Sequence, residues 1–164
     1  MENKLYIKAL QFNFLTPFYD PIIRLITRET KFKKRLIENM EISQSAKILD
    51  IGCGTGTLAL KIKQKFPDVQ ITGLDADFKI LEQTARKFNK AGLRISLLHG
   101  NSTEIGAPDS SFDVVTSTLM FHHLDAEHKK KTLLEICRIL RPGGMFYFAD
   151  YSVPHCTCME IVSF

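Results

Sequence analysis

A doubly wound α/β fold, a mostly parallel sheet with helices on both faces, is what this 164-residue sequence predicts. Two observations lead there. From Lys47 onward, short β-rich runs alternate with helical stripes, the pattern of parallel strands joined by crossover helices. A glycine-rich turn, Gly52-Cys53-Gly54-Thr55-Gly56, also stands between the first such strand and the first such helix. With 45% apolar and 24% charged residues, the chain has the balance of one domain that buries its own core.

Residues 1–43 read as a helical cap, two or three segments broken at Pro17 and Pro21. Near its end, Phe32, Leu36, Ile37 and Met40 share one helix side, so Lys31, Lys33, Lys34 and Arg35 read as a solvated face. Residues 44–152 form the core. Lys47–Ile51 is its first strand, followed by a helix with Leu58, Ala59, Ile62 and Phe66 inward and stopped by Pro67-Asp68. Val69–Leu74 makes a second strand. Asp77 then caps a helix whose stripe is Leu81, Thr84, Ala85 and Phe88. Arg94–Leu98 and Asp113–Thr118 are the third and fourth strands. Asp125 caps a helix with Leu133, Ile136, Cys137 and Leu140 inward, and Arg141-Pro142-Gly143-Gly144 ends it. Met145–Tyr151 is a fifth strand, and residues 153–164 are a short tail.

Composition excludes several classes. Twenty-two basic against eighteen acidic residues give +4, too mild and too scattered for nucleic acid, and Lys129-Lys130-Lys131 reads as another solvated face. No apolar run approaches the ~18 residues of a membrane span, and the first residues lack a signal-peptide core, so a cytoplasmic protein without a transmembrane segment is expected. Cys53, Cys137, Cys156 and Cys158 follow no disulfide framework and read as reduced thiols. His155, Cys156 and Cys158 lie close together but lack a fourth ligand nearby, so no metal is expected.

The chemistry concentrates around the glycine turn. Glycines let a ligand lie against the backbone, and amides at the next helix N-terminus favour a carboxylate or phosphate. Asp50 precedes them at the strand's C-terminal end, where open α/β sheets bind ligands; its carboxylate suits an ammonium and repels a pyrophosphate. The third glycine comes one position too early for the dinucleotide fingerprint, which disfavours a nicotinamide oxidoreductase. Asp75, ending the second strand, can accept hydrogen bonds from both hydroxyls of a ribose. Together these describe a pocket for a ribose bearing an amino-acid tail.

Asp50–Gly56, Asp75, Phe112-Asp113-Val114-Val115 and Leu140-Arg141-Pro142-Gly143-Gly144 occur in one order, and through them the chain resembles the class I S-adenosylmethionine-dependent methyltransferases. The resemblance spans about residues 15–152 and is strongest to the small-molecule branch, with its quinone-biosynthesis and phospholipid-type enzymes. It implies a Rossmann-like sheet of order 3-2-1-4-5, S-adenosyl-L-methionine as cofactor, and a small-molecule or lipid-like acceptor. It places Asp50 and the backbone of Gly52, Cys53, Gly54 and Gly56 at the methionine part, and Asp75 with Ala76 at the ribose. Tyr19, followed by Asp20, resembles a Tyr-Asp pair laid over the cofactor. Asn101, followed by Ser102, stands where the family often has an aspartate for the adenine amino group; its carbonyl oxygen can still accept that bond, without the charge. His122 and His123 follow the fourth strand, either as a base for the acceptor or as pocket lining. No Asn-Pro-Pro-aromatic motif stands there, which argues against methylation of nucleobase or protein amides. His99 and His128 read as surface residues without a function.

The family usually closes its sheet with an antiparallel hairpin. Thirteen residues follow Tyr151, too few for a helix and two strands of normal length, so that hairpin is expected to be lacking. Met145–Tyr151 would then be an exposed, apolar edge, with Asp150 alone to discourage pairing and self-association as the result. The competing reading is a truncated, catalytically impaired S-adenosylmethionine-binding protein.

Overall fold

The computed structural model describes residues 29–152 and 156–163, with side chains from 30 to 150. Along the chain come α1 (Glu29–Glu38), β1 (Lys47–Ile51), α2 (Thr57–Lys65), β2 (Gln70–Asp75), α3 (Phe78–Lys90) and β3 (Ser96–His99). Then follow β4 (Phe112–Thr118), a 3-10 turn (Phe121–His123), α4 (Ala126–Ile139), β5 (Leu140–Ser152) and β6 (Cys156–Ser163). The sheet runs β3-β2-β1-β4-β5-β6, with the first five strands parallel and β6 antiparallel.

Strand alternation divides the core into two layers. Ile48, Val114 and Tyr147 face one side, under α1, α2 and α3, where they meet Leu36, Leu58, Ile62 and Phe88. Leu49, Val115 and Phe146 face the other, where α4 supplies Ile136 and Ile139. The central strand β1 is buried on both faces, which is why Ile48-Leu49-Asp50-Ile51 reads as one closed run in the structure. Asp77 and Asp125 cap their helices as expected, accepting from the amides of Lys79 (2.9 Å) and His128 (2.8 Å).

Phe112 pairs with Leu140, but Val114 pairs with Met145, so residues 141–144 bulge out of the ladder. Asp113 pins this bulge. Its Oδ1 accepts from Arg141 Nη1 at 2.6 Å while Oδ2 accepts from the Lys47 amide at 2.7 Å. The Phe-Asp-Val-Val and Arg-Pro-Gly-Gly motifs therefore meet across the sheet, and their joint role is register.

Three expectations are corrected. The inward face of α4 is Thr132, Ile136 and Ile139, whereas Cys137 is exposed and Leu133 is 42% exposed. Thr132 goes inside because its hydroxyl is satisfied by Ser102 Oγ at 2.9 Å. Second, Lys33 leaves the solvated face of α1 and is buried with Leu36, Ile37 and Met40, its charge acting on Asp50. Third, β5 is not the sheet edge. Residues 156–163 return along it, pairing from Met145↔Ser163 to Ser152↔Cys156. One antiparallel return needs only a short connection and fits a length too short for a helix and two strands. Self-association through an open fifth strand thereby loses its edge. No described helix is long and apolar enough to cross a membrane.

Deleting residues 153–164 would uncover the ladder along Met145–Ser152. Light scattering is expected to show the shortened chain associating more strongly than the 164-residue chain. Equal masses would deny β6 this shielding role.

Candidate functional site

The C-terminal ends of β1, β2, β4 and β5 meet at one edge of the sheet. There Gly52, Gly54 and Gly56 take φ of 66°, 54° and 69°, the left-handed region that glycine enters without strain. Their surroundings differ. A Cβ on Gly52 would lie 2.5 Å from Met120 Cγ, and one on Gly56 would lie 2.5 Å from Thr84 Cγ2. A Cβ on Gly54 would meet nothing within 4 Å, so the middle of the loop faces open space.

Asp75 ties this loop to β2. Its Oδ2 accepts from the Gly54 amide at 2.9 Å and its Oδ1 from the Asp77 amide at 3.0 Å, and each carboxylate oxygen carries more than one acceptor position. From the other side, the Thr84 hydroxyl donates to the Gly54 carbonyl at 2.7 Å. Burial pushes the Asp75 pKa up, against the pull of its backbone donors.

Asp50 lies beneath the loop, 1% exposed, with Oδ1 accepting from the Thr116 hydroxyl at 2.8 Å. Burial pushes its pKa up to about 6, the Thr116 bond and the Lys33 charge opposing the rise and the Asp75 charge adding to it. The carboxylate whose charge suits a ligand ammonium is thus enclosed beneath the loop. Cys53, 6% exposed, is packed against β2: a Cβ on Gly73 would lie 2.9 Å from its Sγ. Burial and the Asp50 and Asp75 charges hold its thiol protonated, which makes it part of the packing and no nucleophile.

The second half of the site follows β4. Leu119 takes φ 56°, and its amide donates to the Ala149 carbonyl at 2.9 Å. Phe121 then anchors the 3-10 turn against Phe148 (5.0 Å between ring centroids) and Phe146 (6.1 Å). His122 meets Asp150 twice, its amide donating to Oδ2 at 3.0 Å and its Nδ1 lying 2.6 Å from Oδ1. The His122 side chain is 31% exposed and that of Asp150 4%. The His123 ring lies 3.9 Å from that of His122; burial and the His122 charge lower its pKa, Asp150 acting in the opposite sense.

Asp150 was visible in the sequence only as an edge charge. The signal that could have found it is position, an aspartate at the C-terminal end of a parallel strand, as are Asp50 and Asp75. Of the other expected residues, Ala76 is half-buried beside Asp75, its carbonyl 3.1 Å from His99 Nε2. Asn101 is exposed just past β3. Ser102 turns to Thr132 on α4. Tyr19 lies outside the described residues, as do the side chains of His155, Cys156 and Cys158. The described residues contain no cluster of three metal-ligating side chains.

Comparison with known proteins decides the family: a model of the methyltransferase domain matches residues 48–144, from β1 to the bulge before β5. The chain belongs to the class I S-adenosylmethionine-dependent methyltransferases. It is 30% identical over 148 residues to the demethylmenaquinone methyltransferase of Listeria welshimeri, covering 88% of this chain and 62% of that one. It is 30% identical over 145 residues to the enzyme of the same name from Thermus thermophilus, covering 87% of this chain and 65% of that one. The chain thus spans about 62% of the length of the Listeria relative. The YcgJ protein of Bacillus subtilis shares the fold at a TM-score of 0.68, with 27% identity over 74% of this chain and 50% of that one. Membership implies S-adenosylmethionine as methyl donor. The residues fit that molecule in two respects, the open space over Gly54 and the further acceptor positions on Asp75.

The enclosed Asp50 generates a prediction. With a folded pKa of about 6 against 3.8, the native chain holds a proton that the unfolded chain has released, so stability falls as pH rises through that window. Asn cannot ionise, and its oxygen can still accept from Thr116. Denaturant titrations should show Asp50→Asn more stable than wild type by up to about 3 kcal/mol above pH ~7, the gap narrowing steadily towards pH ~4.5. A gap independent of pH would contradict this.

Proposed function

We propose that the chain binds S-adenosylmethionine at this edge and directs its methyl group to a small quinone-type or lipid-like acceptor. The observation that carries the reading is the glycine loop fastened to Asp75 and open over Gly54. The loop amides and the N-terminus of α2 would take the methionine carboxylate, and the Asp50 field the ammonium. Asp75 would accept from the ribose hydroxyls with Ala76 alongside. Asn101 would accept from the adenine amino group, while Ser102 braces that loop against α4 through Thr132. Tyr19 keeps the role given by resemblance, over the cofactor.

When bound, the sulfonium supplies an electrophilic methyl group and a neutral thioether as leaving group. What remains for the protein is alignment, exclusion of water and, for an acidic acceptor, a place for its proton. Met120 rests on Gly52 and is two residues from His122, so the histidine turn and the cofactor loop form one surface. The quinone-type acceptor is supported by the relatives from Listeria and Thermus, whose names specify demethylmenaquinone.

Replacing Asp75 with Ala removes the proposed ribose acceptors, and hydrogen bonds to charged groups contribute roughly 1.5–3 kcal/mol. Calorimetry should show S-adenosylmethionine and its demethylated product binding to the wild type, NAD not binding, and at least ~10-fold weaker cofactor affinity in folded Asp75→Ala. Unchanged affinity would remove the ribose assignment.

A further inference from the structure

We propose that His122 and Asp150 form a proton-accepting dyad for an acceptor with an ionisable ring hydroxyl, with Asp150 as the positioning residue. The inference rests on the methyl-transfer reading and adds to it which histidine works, through which nitrogen, and on what kind of acceptor. Asp150 binds the backbone amide of His122 through Oδ2 and its ring through Oδ1, so the residue is held at two points, once by its backbone and once by its imidazole. A carboxylate 2.6 Å from Nδ1 requires the proton there, which puts the basic lone pair on Nε2. Asp150 is buried and His122 partly exposed, so the orienting group is enclosed while the ring reaches the ligand edge. His123 has no such carboxylate among its described contacts, and it lies over the His122 ring. The titratable groups in contact with the His122 ring include His123 on the same turn and Asp150 on β5.

In the step proposed, Nε2 takes the proton of the acceptor hydroxyl. The electron pair of the resulting anion, on oxygen or delocalised to a ring carbon, forms the new bond to the methyl carbon. The sulfur–methyl bond breaks with its pair left on sulfur. One proton per methyl transferred reaches solvent, from His122 after O-methylation or from the ring carbon after C-methylation. In the latter case His122 returns its proton to the oxygen.

Asp150→Asn separates positioning from mere support of the turn. An Asn oxygen can still accept the His122 amide, but its NH2 facing Nδ1 favours the opposite tautomer. Nitrogen NMR of the imidazoles in the full chain should show Nδ1 protonated in the wild type and Nε2 protonated in Asp150→Asn. With labelled S-adenosylmethionine and a 1,4-naphthohydroquinone bearing a free ring position, Asp150→Asn should lower kcat ~10²–10⁴-fold. Cofactor affinity by calorimetry should stay within about twofold, and the acid limb of the kcat–pH profile should change. An unchanged tautomer, or wild-type kcat and pH profile in the variant, would overturn the dyad. A wild type that binds cofactor and leaves the naphthohydroquinone unmethylated would count against the ring-hydroxyl acceptor, whereas absent cofactor binding would count against the methyl-transfer reading itself.

Discussion

The Asp75 carboxylate, held by the amides of Gly54 and Asp77, fixes the geometry on which the rest of the site depends. The two amides belong to different segments, the glycine loop after β1 and the approach to α3. One side chain therefore sets the distance between the C-terminal ends of neighbouring strands. Charged hydrogen bonds of this kind are stronger than neutral ones and offset much of the cost of holding a carboxylate partly out of water. Thr84 closes the arrangement from α3, and the absence of a Cβ at Gly56 is what lets that helix approach.

A second carboxylate plays a different part. Asp50 is enclosed, with Thr116 and the Lys33 charge compensating its burial only in part, so its pKa stands near 6. A charge kept under a glycine loop at a cost to the fold is the pattern expected where stability yields to binding. Asp150, also at this edge, holds the turn after β4 through both the backbone amide and the ring of His122. The three are spread over β1, β2 and β5, whose parallel direction brings their C-terminal ends together.

What the sequence made legible follows from how local each signal is. The β1 bounds were readable because an apolar run sits between Lys47 and the first glycine, and the Asp77 and Asp125 caps because a cap bonds residues two or three positions away. Asp75 was readable by position alone, its bond to Gly54 spanning 21 residues. The face of α4 is not legible from apolarity, because Leu133 and Cys137 are more apolar than Thr132, whose hydroxyl is satisfied by a serine 30 residues away. The charge of Lys33 acts on Asp50, a residue on another element, and the pairing of His122 with Asp150 spans 28 residues. No periodicity reports such meetings. The residues after β5 are too few for a helix and two strands but enough for one antiparallel return, which is how the sixth strand forms.

Hydrogen–deuterium exchange of the 164-residue chain with and without S-adenosylmethionine tests the central claim, that ligand binds across the glycine loop and the end of β2. The account predicts slowed exchange at the amides of residues 51–57 and 75–79 and around the turn at 119–124, with little change in the remote half of α3 and the loop before β3. Protection confined to that remote region, or no protection at saturating ligand, would contradict it.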